Sequence, residues 1–381
     1  MIKKITAKIQ NFMYDIGSKK FKETQNKILF IGSYHQLGSI MKELKKNKNN
    51  IIIRCSTFIG RSLFRKDVDY FITSTGFDED IKRILKKIDI IVVTNDTVPF
   101  ENKVIKIAND MNIPSLMIQH GALGEVESFE PSITTKVAVW GELTKQWMIN
   151  LRESQDKLII TGSPRYDEYI TKKSEKKEKI LKKFKISSSK KILLYPTHPF
   201  NMDISLSPST RLSIEENKEI LDKLFNVAKE LSLFLVIKLH PTNEITIDEI
   251  YKLIPDIGYK DYIIIKHGQE NLFNLINICD VFVTYTSTTA LESMLLKKPI
   301  ITVNFANKKD PMQYSRYGCA IQANDEETLK KALKEIINNK EVKDKLLNMG
   351  NKFIEKYCYK IDGLSSNRTA KLIMDMIKKE N

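Results

Sequence analysis

Short, continuously apolar runs, each followed by a helical pattern, recur along this 381-residue chain and constrain its fold more than any other feature. Lys27-Ile28-Leu29-Phe30-Ile31-Gly32 is the first of them. Such runs are too short for core helices and lack the alternation of a strand with one wet face. They read as strands buried on both sides, in a parallel sheet covered by helices. Similar runs fall at 51–54, 70–73, 88–94, 115–119, 137–140 and 158–161, with helical patterns at 38–44, 78–87 and 101–111. A lysine-rich stretch over 172–189 carries no strand signal. The alternation then restarts at 191–195 and continues at 233–239, 262–265, 281–284 and 300–304; from 326 onward the pattern is nearly all helical.

Two such series predict two doubly wound, Rossmann-like α/β domains, and the length is too great for one ordinary core. The boundaries expected are 1–167 for the first domain, 168–186 for a charged linker or helix and 187–362 for the second domain. A final helix over 363–381 is expected to cross back onto the first. In open α/β sheets ligands sit beyond the carboxyl ends of strands. Two sheets facing a cleft would therefore offer one binding site on each wall.

Composition limits the rest. Cys55, Cys279, Cys319 and Cys358 form no CxxC pair, which argues against a disulfide framework and a cysteine zinc site. No run of about 18 apolar residues appears, and the start lacks a signal-type apolar region, so a cytoplasmic protein is expected. The net charge of +15 reads as a solvated lysine-rich surface or as attraction to phosphorylated ligands or anionic lipid. Nucleic acid is disfavoured as a partner, since no zinc finger, RNP-type motif or recognition helix accompanies the charge. Ile2, Ile5, Ile9, Phe12, Met13 and Ile16 share one helical face opposite Lys3, Lys4 and Lys8. That helix either packs on its own domain or, with the lysines up to 22, rests on an anionic membrane surface.

Four of the five histidines, His120, His198, His240 and His267, lie just past a strand. A neutral imidazole there is suited to general-base work and an imidazolium to phosphate binding. Thr197 precedes His198, and Lys238 stands two residues before His240. A second cluster, Thr284-Tyr285-Thr286-Ser287-Thr288, ends a strand and opens a helix that contains Glu292. Hydroxyls and free amides at a helix start suit an anion, and Glu292 one turn on suits donor hydroxyls. No HxxxH spacing and no Asp-x-Asp after a strand appears, so no metal and no cofactor are expected.

Together these residues resemble a known family. Gly162-Ser163-Pro164-Arg165-Tyr166-Asp167 resembles the G-x-P-R-x-D motif of the CDP-glycerol glycerophosphotransferases, the teichoic-acid polymerases. Gln119-His120-Gly121, Tyr195-Pro196-Thr197, Lys238-Leu239-His240-Pro241 and the segment 281–299 match further motifs of that family in the same order. The likeness covers about 90–304. It departs where the family's Asp-Tyr-Ser-Ser is Thr284-Tyr285-Thr286-Ser287, and where Ala122-Leu123-Gly124-Glu125 follows His-Gly. The His-Pro and Ser/Thr pair is also similar to bacterial sialic-acid and Kdo transferases, which use CMP-sugars.

The resemblance implies a GT-B fold and a transferase moving a glycosyl or glycerophosphoryl group from a nucleotide-activated donor. The donor would be CDP-glycerol or a CMP- or UDP-sugar, and the acceptor a surface polysaccharide or lipid-linked glycan. That acceptor would put the protein at the inner face of the plasma membrane. It implies His120 as general base, with Glu125 and Glu127 as rivals. Donor binding would fall to Arg165, Thr197, His198, Lys238, His240, His267, Thr286, Ser287, Thr288 and Glu292. A UDP-GlcNAc 2-epimerase-like isomerase and a non-catalytic donor-binding member of an assembly complex remain the alternatives.

Overall fold

The computed structural model describes residues 22, 24–32, 34–56, 70–73, 78–122, 130–198, 212–241 and 247–378. It forms two compact units, Met1–Ile170 with Lys356–Asn381, and Thr171–Glu355. The first unit holds β1 (Asn26–Ile31), α1 (Tyr34–Leu44), β2 (Asn50–Ser56), β3 (Tyr70–Thr73), α2 (Asp78–Leu85), β4 (Ile90–Val93) and α3 (Pro99–Asp110). It continues through β5 (Ser115–Ile118), β6 (Lys136–Val139), α4 (Glu142–Asn150), β7 (Leu158–Ile160) and α5 (Asp167–Thr171). The second holds α6 (Lys177–Lys183), β8 (Ile192–Pro196), α7 (Ile214–Glu230), β9 (Phe234–Lys238), α8 (Ile247–Leu253), β10 (Tyr262–Ile265) and α9 (Leu272–Ile278). There follow β11 (Val281–Thr284), α10 (Thr289–Leu295), β12 (Ile300–Val303), β13 (Ile321–Ala323), α11 (Glu326–Asn338) and α12 (Lys340–Cys358). The chain then returns to the first unit as α13 (Ser365–Lys378).

In the first unit the strand order is β3-β2-β1-β4-β5-β6-β7, and every neighbouring pair is parallel. The order reverses between β1 and β4, which sets the switch point of this sheet. Side chains alternate between its faces. Ile28 and Phe30 of β1 pack with Leu37, Ile40 and Met41 of α1 and with Ala370, Ile373 and Ile377 of α13. Leu29 and Ile31 face the opposite layer, with Ile84 and Leu85 of α2 and Val104 and Ile105 of α3.

The segment that resembles G-x-P-R-x-D is the seat of α13. Asp167 accepts the backbone N–H groups of Ser365 at 3.0 Å and Ser366 at 2.7 Å, and Arg368 Nε donates to the Thr161 carbonyl at 2.8 Å. Gly162 lies at φ +83°, and a Cβ there would stand 2.4 Å from Ser365 Oγ. Only glycine meets both demands at low cost.

The second sheet runs β10-β9-β8-β11-β12-β13, again parallel throughout, with its switch point between β8 and β11. Leu193, Leu235, Val283 and Ile301 meet Leu221, Leu224 and Phe225 of α7 and Leu329 and Leu333 of α11. A capping box opens α7: Ser213 Oγ accepts Glu216 N–H at 3.1 Å, and Glu216 Oε2 accepts Ser213 N–H at 2.6 Å.

Several sequence expectations change. Within 168–186, expected as a charged linker or helix, the structure has the helix α6, whose Ile180 and Leu181 are buried while its lysines occupy the outer side. Lys183 pairs with Glu270 at 2.6 Å, and Asn274 Oδ1 accepts Glu175 N–H at 3.2 Å, which ties this stretch to the second unit. The second unit ends at Glu355 rather than 362. Helix α1 begins at Tyr34, ahead of the expected 38. The strand β13 carried no apolar signal, because it is three residues long with Gln322 at its centre. The expected helix over 2–16 lies outside the described residues. Among those described, no helix is long and apolar enough to cross a membrane.

Candidate functional site

In the first unit the carboxyl ends of β4 and β5 meet at His120. Its Nδ1 lies 2.6 Å from the Thr94 carbonyl oxygen. A carbonyl only accepts, so Nδ1 carries the hydrogen and Nε2 is left as the basic nitrogen. The preceding residue holds the strand end rigid. Gln119 Oε1 accepts Trp140 N–H at 2.9 Å, and the Gln119 carbonyl accepts Trp140 Nε1–H at 2.8 Å. The exposed imidazole therefore stands on an anchored base.

His120 lines a cavity of about 690 Å³ together with Asn95, Asp96, Thr97, Gln119, Glu130, Met117 and Met148. Asp96 is buried, and its Oδ2 accepts from Ser132 Oγ at 2.6 Å and Ile133 N at 2.8 Å. A second space of about 60 Å³ is lined by His120, Trp140, Ser163, Pro164 and Arg165. Ser163 Oγ is buried there, without a hydrogen-bond partner among the described residues. Arg165, which the resemblance grouped with the nucleotide residues, thus shares the lining of this first-unit space with His120. Its guanidinium lies 5.9 Å from the Tyr166 ring centre. Glu125 and Glu127 lie outside the described residues.

In the second unit the ends of β9, β8 and β11 bring the other residues to one edge of the sheet. Thr197 Oγ1 accepts the His240 N–H at 3.1 Å, which fixes the end of β9 against that of β8. The His198 ring centre lies 5.4 Å from that of Tyr285, joining β8 to β11 across the switch point. His198 Nε2 is covered and, among the described residues, has no hydrogen-bond partner. Burial, helped by the neighbouring His240, pushes the His198 pKa down to about 4, and burial lowers His240 as well. Both imidazoles are therefore held toward the neutral form.

The hydroxyl cluster is more tied down than the sequence suggests. Thr286 Oγ1 donates to Asp310 Oδ1 at 2.8 Å. Thr284 Oγ1 accepts Ser287 N–H at 3.3 Å, and Ser287 Oγ accepts Thr289 N–H at 3.2 Å. The amides expected to be free are thus partly used by the turn itself. Among the described residues Thr288 Oγ1 makes no hydrogen bond, and its side chain does not cap the helix. Tyr285 is buried and donates to the Lys309 carbonyl at 3.2 Å; Tyr314 donates to the Ser287 carbonyl at 3.2 Å.

Lys238 is buried, and its ammonium donates to the Lys266 carbonyl at 2.8 Å, bracing β9 against the end of β10. Burial lowers its pKa, against the opposing pull of Glu270. His267 is exposed past β10, and Glu292 is 2% exposed on the inner face of α10. Sequence reasoning missed Asp310, Tyr314, Asn95 and Asp96. The last two follow β4 directly, and the strand-end rule applied to histidine would have found them. Among the described residues no group of three or more His, Cys, Asp or Glu is placed to hold a metal ion.

Two doubly wound parallel units, each with its polar residues gathered past the carboxyl ends of strands, define the GT-B class. A transferase using a nucleotide-activated donor is the enzyme these features describe. The chain belongs to the CDP-glycerol:poly(glycerophosphate) glycerophosphotransferase family, whose model matches residues 106–375. The fold is similar to that of the wall teichoic acid polymerase TagF, with a TM-score of 0.59 at 16% identity, over 100% of this chain and 96% of that one. It is also similar to UDP-GlcNAc 2-epimerase from Neisseria meningitidis, with a TM-score of 0.62 at 16% identity, over 92% of this chain and 100% of the other. A glycosyltransferase from Rickettsia africae gives 0.62 at 15% identity, over 93% and 98%. No curated protein sequence matches the chain.

Proposed function

We propose that this chain transfers glycerol phosphate from CDP-glycerol to a hydroxyl of a surface-polymer or lipid-linked acceptor. The observation that carries the reading is the family match over 106–375, which contains both His120 and His240. Each of these histidines lies just beyond a parallel strand. A structure of TagF soaked with CDPG is also among those similar in fold.

In this reading His120 Nε2 takes the proton of the acceptor hydroxyl. The acceptor oxygen attacks the glycerol-bearing phosphorus, the bond from that phosphorus to the bridging oxygen breaks, and CMP leaves. The Thr94 carbonyl keeps the imidazole in the tautomer this step requires. His240 and Thr288 Oγ1 hydrogen-bond the diphosphate, His198 lines the donor site beside them, and Thr286 and Ser287 hold the turn that presents Thr288. Lys238 contributes positive charge nearby, Glu292 accepts a donor hydroxyl, and Arg165 and His267 border the donor. No metal takes part, so turnover persists in EDTA; loss of activity there, restored by manganese or magnesium, would overturn that part.

We place the reaction at the inner face of the plasma membrane, with residues 2–22 as a basic amphipathic contact. Flotation with anionic liposomes at low and high salt tests this, comparing the full chain with one starting at Thr24. Equal flotation of both removes the segment as the anchor.

The donor is tested with CDP-glycerol, a CMP-sugar and UDP-GlcNAc, each with and without acceptor. Acceptor-dependent CMP release from CDP-glycerol is expected. Epimerisation of UDP-GlcNAc without acceptor would make the chain an isomerase instead.

A further inference from the structure

The cavity in front of His120 has a lining that selects acceptor chemistry. Lys and Arg make up 62 of the 381 residues, yet none lines this space of about 690 Å³ among the described residues. It carries two carboxylates instead, Asp96 and Glu130, with the amides of Asn95 and Gln119 and the hydroxyl of Thr97. Among the described residues both hydrogen bonds to the Asp96 carboxylate fall on Oδ2, so Oδ1 remains an acceptor without a donor. Glu130 is exposed at the cavity wall. Met117 and Met148 add apolar, polarisable surface to the lining.

Carboxylates accept hydrogen bonds from hydroxyls and repel phosphate, while an apolar surface suits the C–H face of a sugar ring. Resting on the transferase reading above, we infer that this cavity binds the neutral, hydroxyl-rich end of the acceptor, a sugar or sugar-like polyol rather than a phosphodiester unit. The volume lies in the range of pockets that enclose small ligands and suits one or two sugar rings. Glu130 and Asp96 take hydroxyl protons as hydrogen bonds, and one remaining hydroxyl is left facing His120 Nε2. Arg165 lines the smaller space with His120 and not this cavity, so its positive charge is not part of the lining that meets the acceptor end.

The test is acceptor binding to the full chain, with and without CDP, followed by ligand-observed NMR. The probes are N,N′-diacetylchitobiose, which is neutral, and glycerophosphoglycerol, which carries a phosphodiester. The disaccharide is expected to bind at least about tenfold more tightly than the phosphodiester, in keeping with one charged hydrogen bond gained or opposed. Glu130→Lys is expected to reverse that order, and Glu130→Gln to weaken the disaccharide without improving the phosphodiester. Equal or tighter binding of glycerophosphoglycerol to the native chain overturns the inference. So does Glu130→Lys leaving both affinities unchanged, or the native chain binding neither probe. The same samples are titrated with CDP-glycerol. Failure there counts against the donor reading and leaves the acceptor result standing on its own.

Discussion

Asp167 accepts the first two backbone N–H groups of the final helix, from Ser365 at 3.0 Å and Ser366 at 2.7 Å. The last residue of the Gly162–Asp167 segment is therefore a helix cap 198 residues away in sequence from the nearer amide it satisfies. Removing it leaves helix-start amides without their partner. Asp167→Ala is expected to cost about 1–2 kcal/mol in the first unit. Hydrogen exchange over 365–370 should accelerate, with CDP-glycerol binding unchanged. Unaltered exchange there would show that the cap contributes nothing.

Gly162 supports the same junction from the other strand end. Any side chain there meets Ser365 Oγ and adopts a left-handed backbone. Gly162→Ala is expected to destabilise the first unit by about 1–3 kcal/mol, read as a lower urea midpoint. A midpoint equal to that of the native protein would contradict this.

His120 is expected to act in turnover rather than in donor binding. His120→Ala should reduce kcat by about 10²–10⁴-fold while leaving CDP-glycerol affinity unchanged. Near-normal turnover would move the role of base to Glu125 or Glu127.

The two second-unit imidazoles give a pH dependence with a defined sign. His198 lies at about 4 in the folded chain against the usual 6.5, because burial opposes its charge. A histidine depressed in the folded state contributes stability above its unfolded value and loses it as pH falls through the folded one. The second unit should therefore lose stability between pH 6.5 and about 4, and His198→Phe should flatten that limb. A limb of the same depth in the variant would exclude His198 as its source. Phosphate beside these rings favours their protonated forms, so donor binding should take up protons and tighten as pH falls.

Much of the fold was legible because β-strands buried on both faces announce themselves as unbroken apolar runs, such as Ile90–Val93 and Val281–Thr284. The exception, Ile321–Ala323, lies at the sheet edge, where less burial demands fewer apolar residues. The histidines were legible because they follow such runs directly. What stayed hidden depends on partners distant in sequence. Nothing near Asp167 announces Ser366, and nothing near Thr286 announces Asp310. Composition does not reveal that the Lys238 ammonium ends on the Lys266 carbonyl. The lysine-rich stretch left linker and helix both open because two inward residues, Ile180 and Leu181, are few against so many charges.

The central claim is that the second unit's switch point binds a cytidine-diphosphate-activated donor through His240. Calorimetric titration of the native chain and of His240→Ala, each with CDP-glycerol and with UDP-GlcNAc, tests it most directly. CDP-glycerol is expected to bind the native chain in preference to UDP-GlcNAc, and His240→Ala to weaken it at least about tenfold, the worth of one lost charged hydrogen bond. Preferred binding of UDP-GlcNAc, or unchanged affinity for CDP-glycerol in His240→Ala, would contradict it.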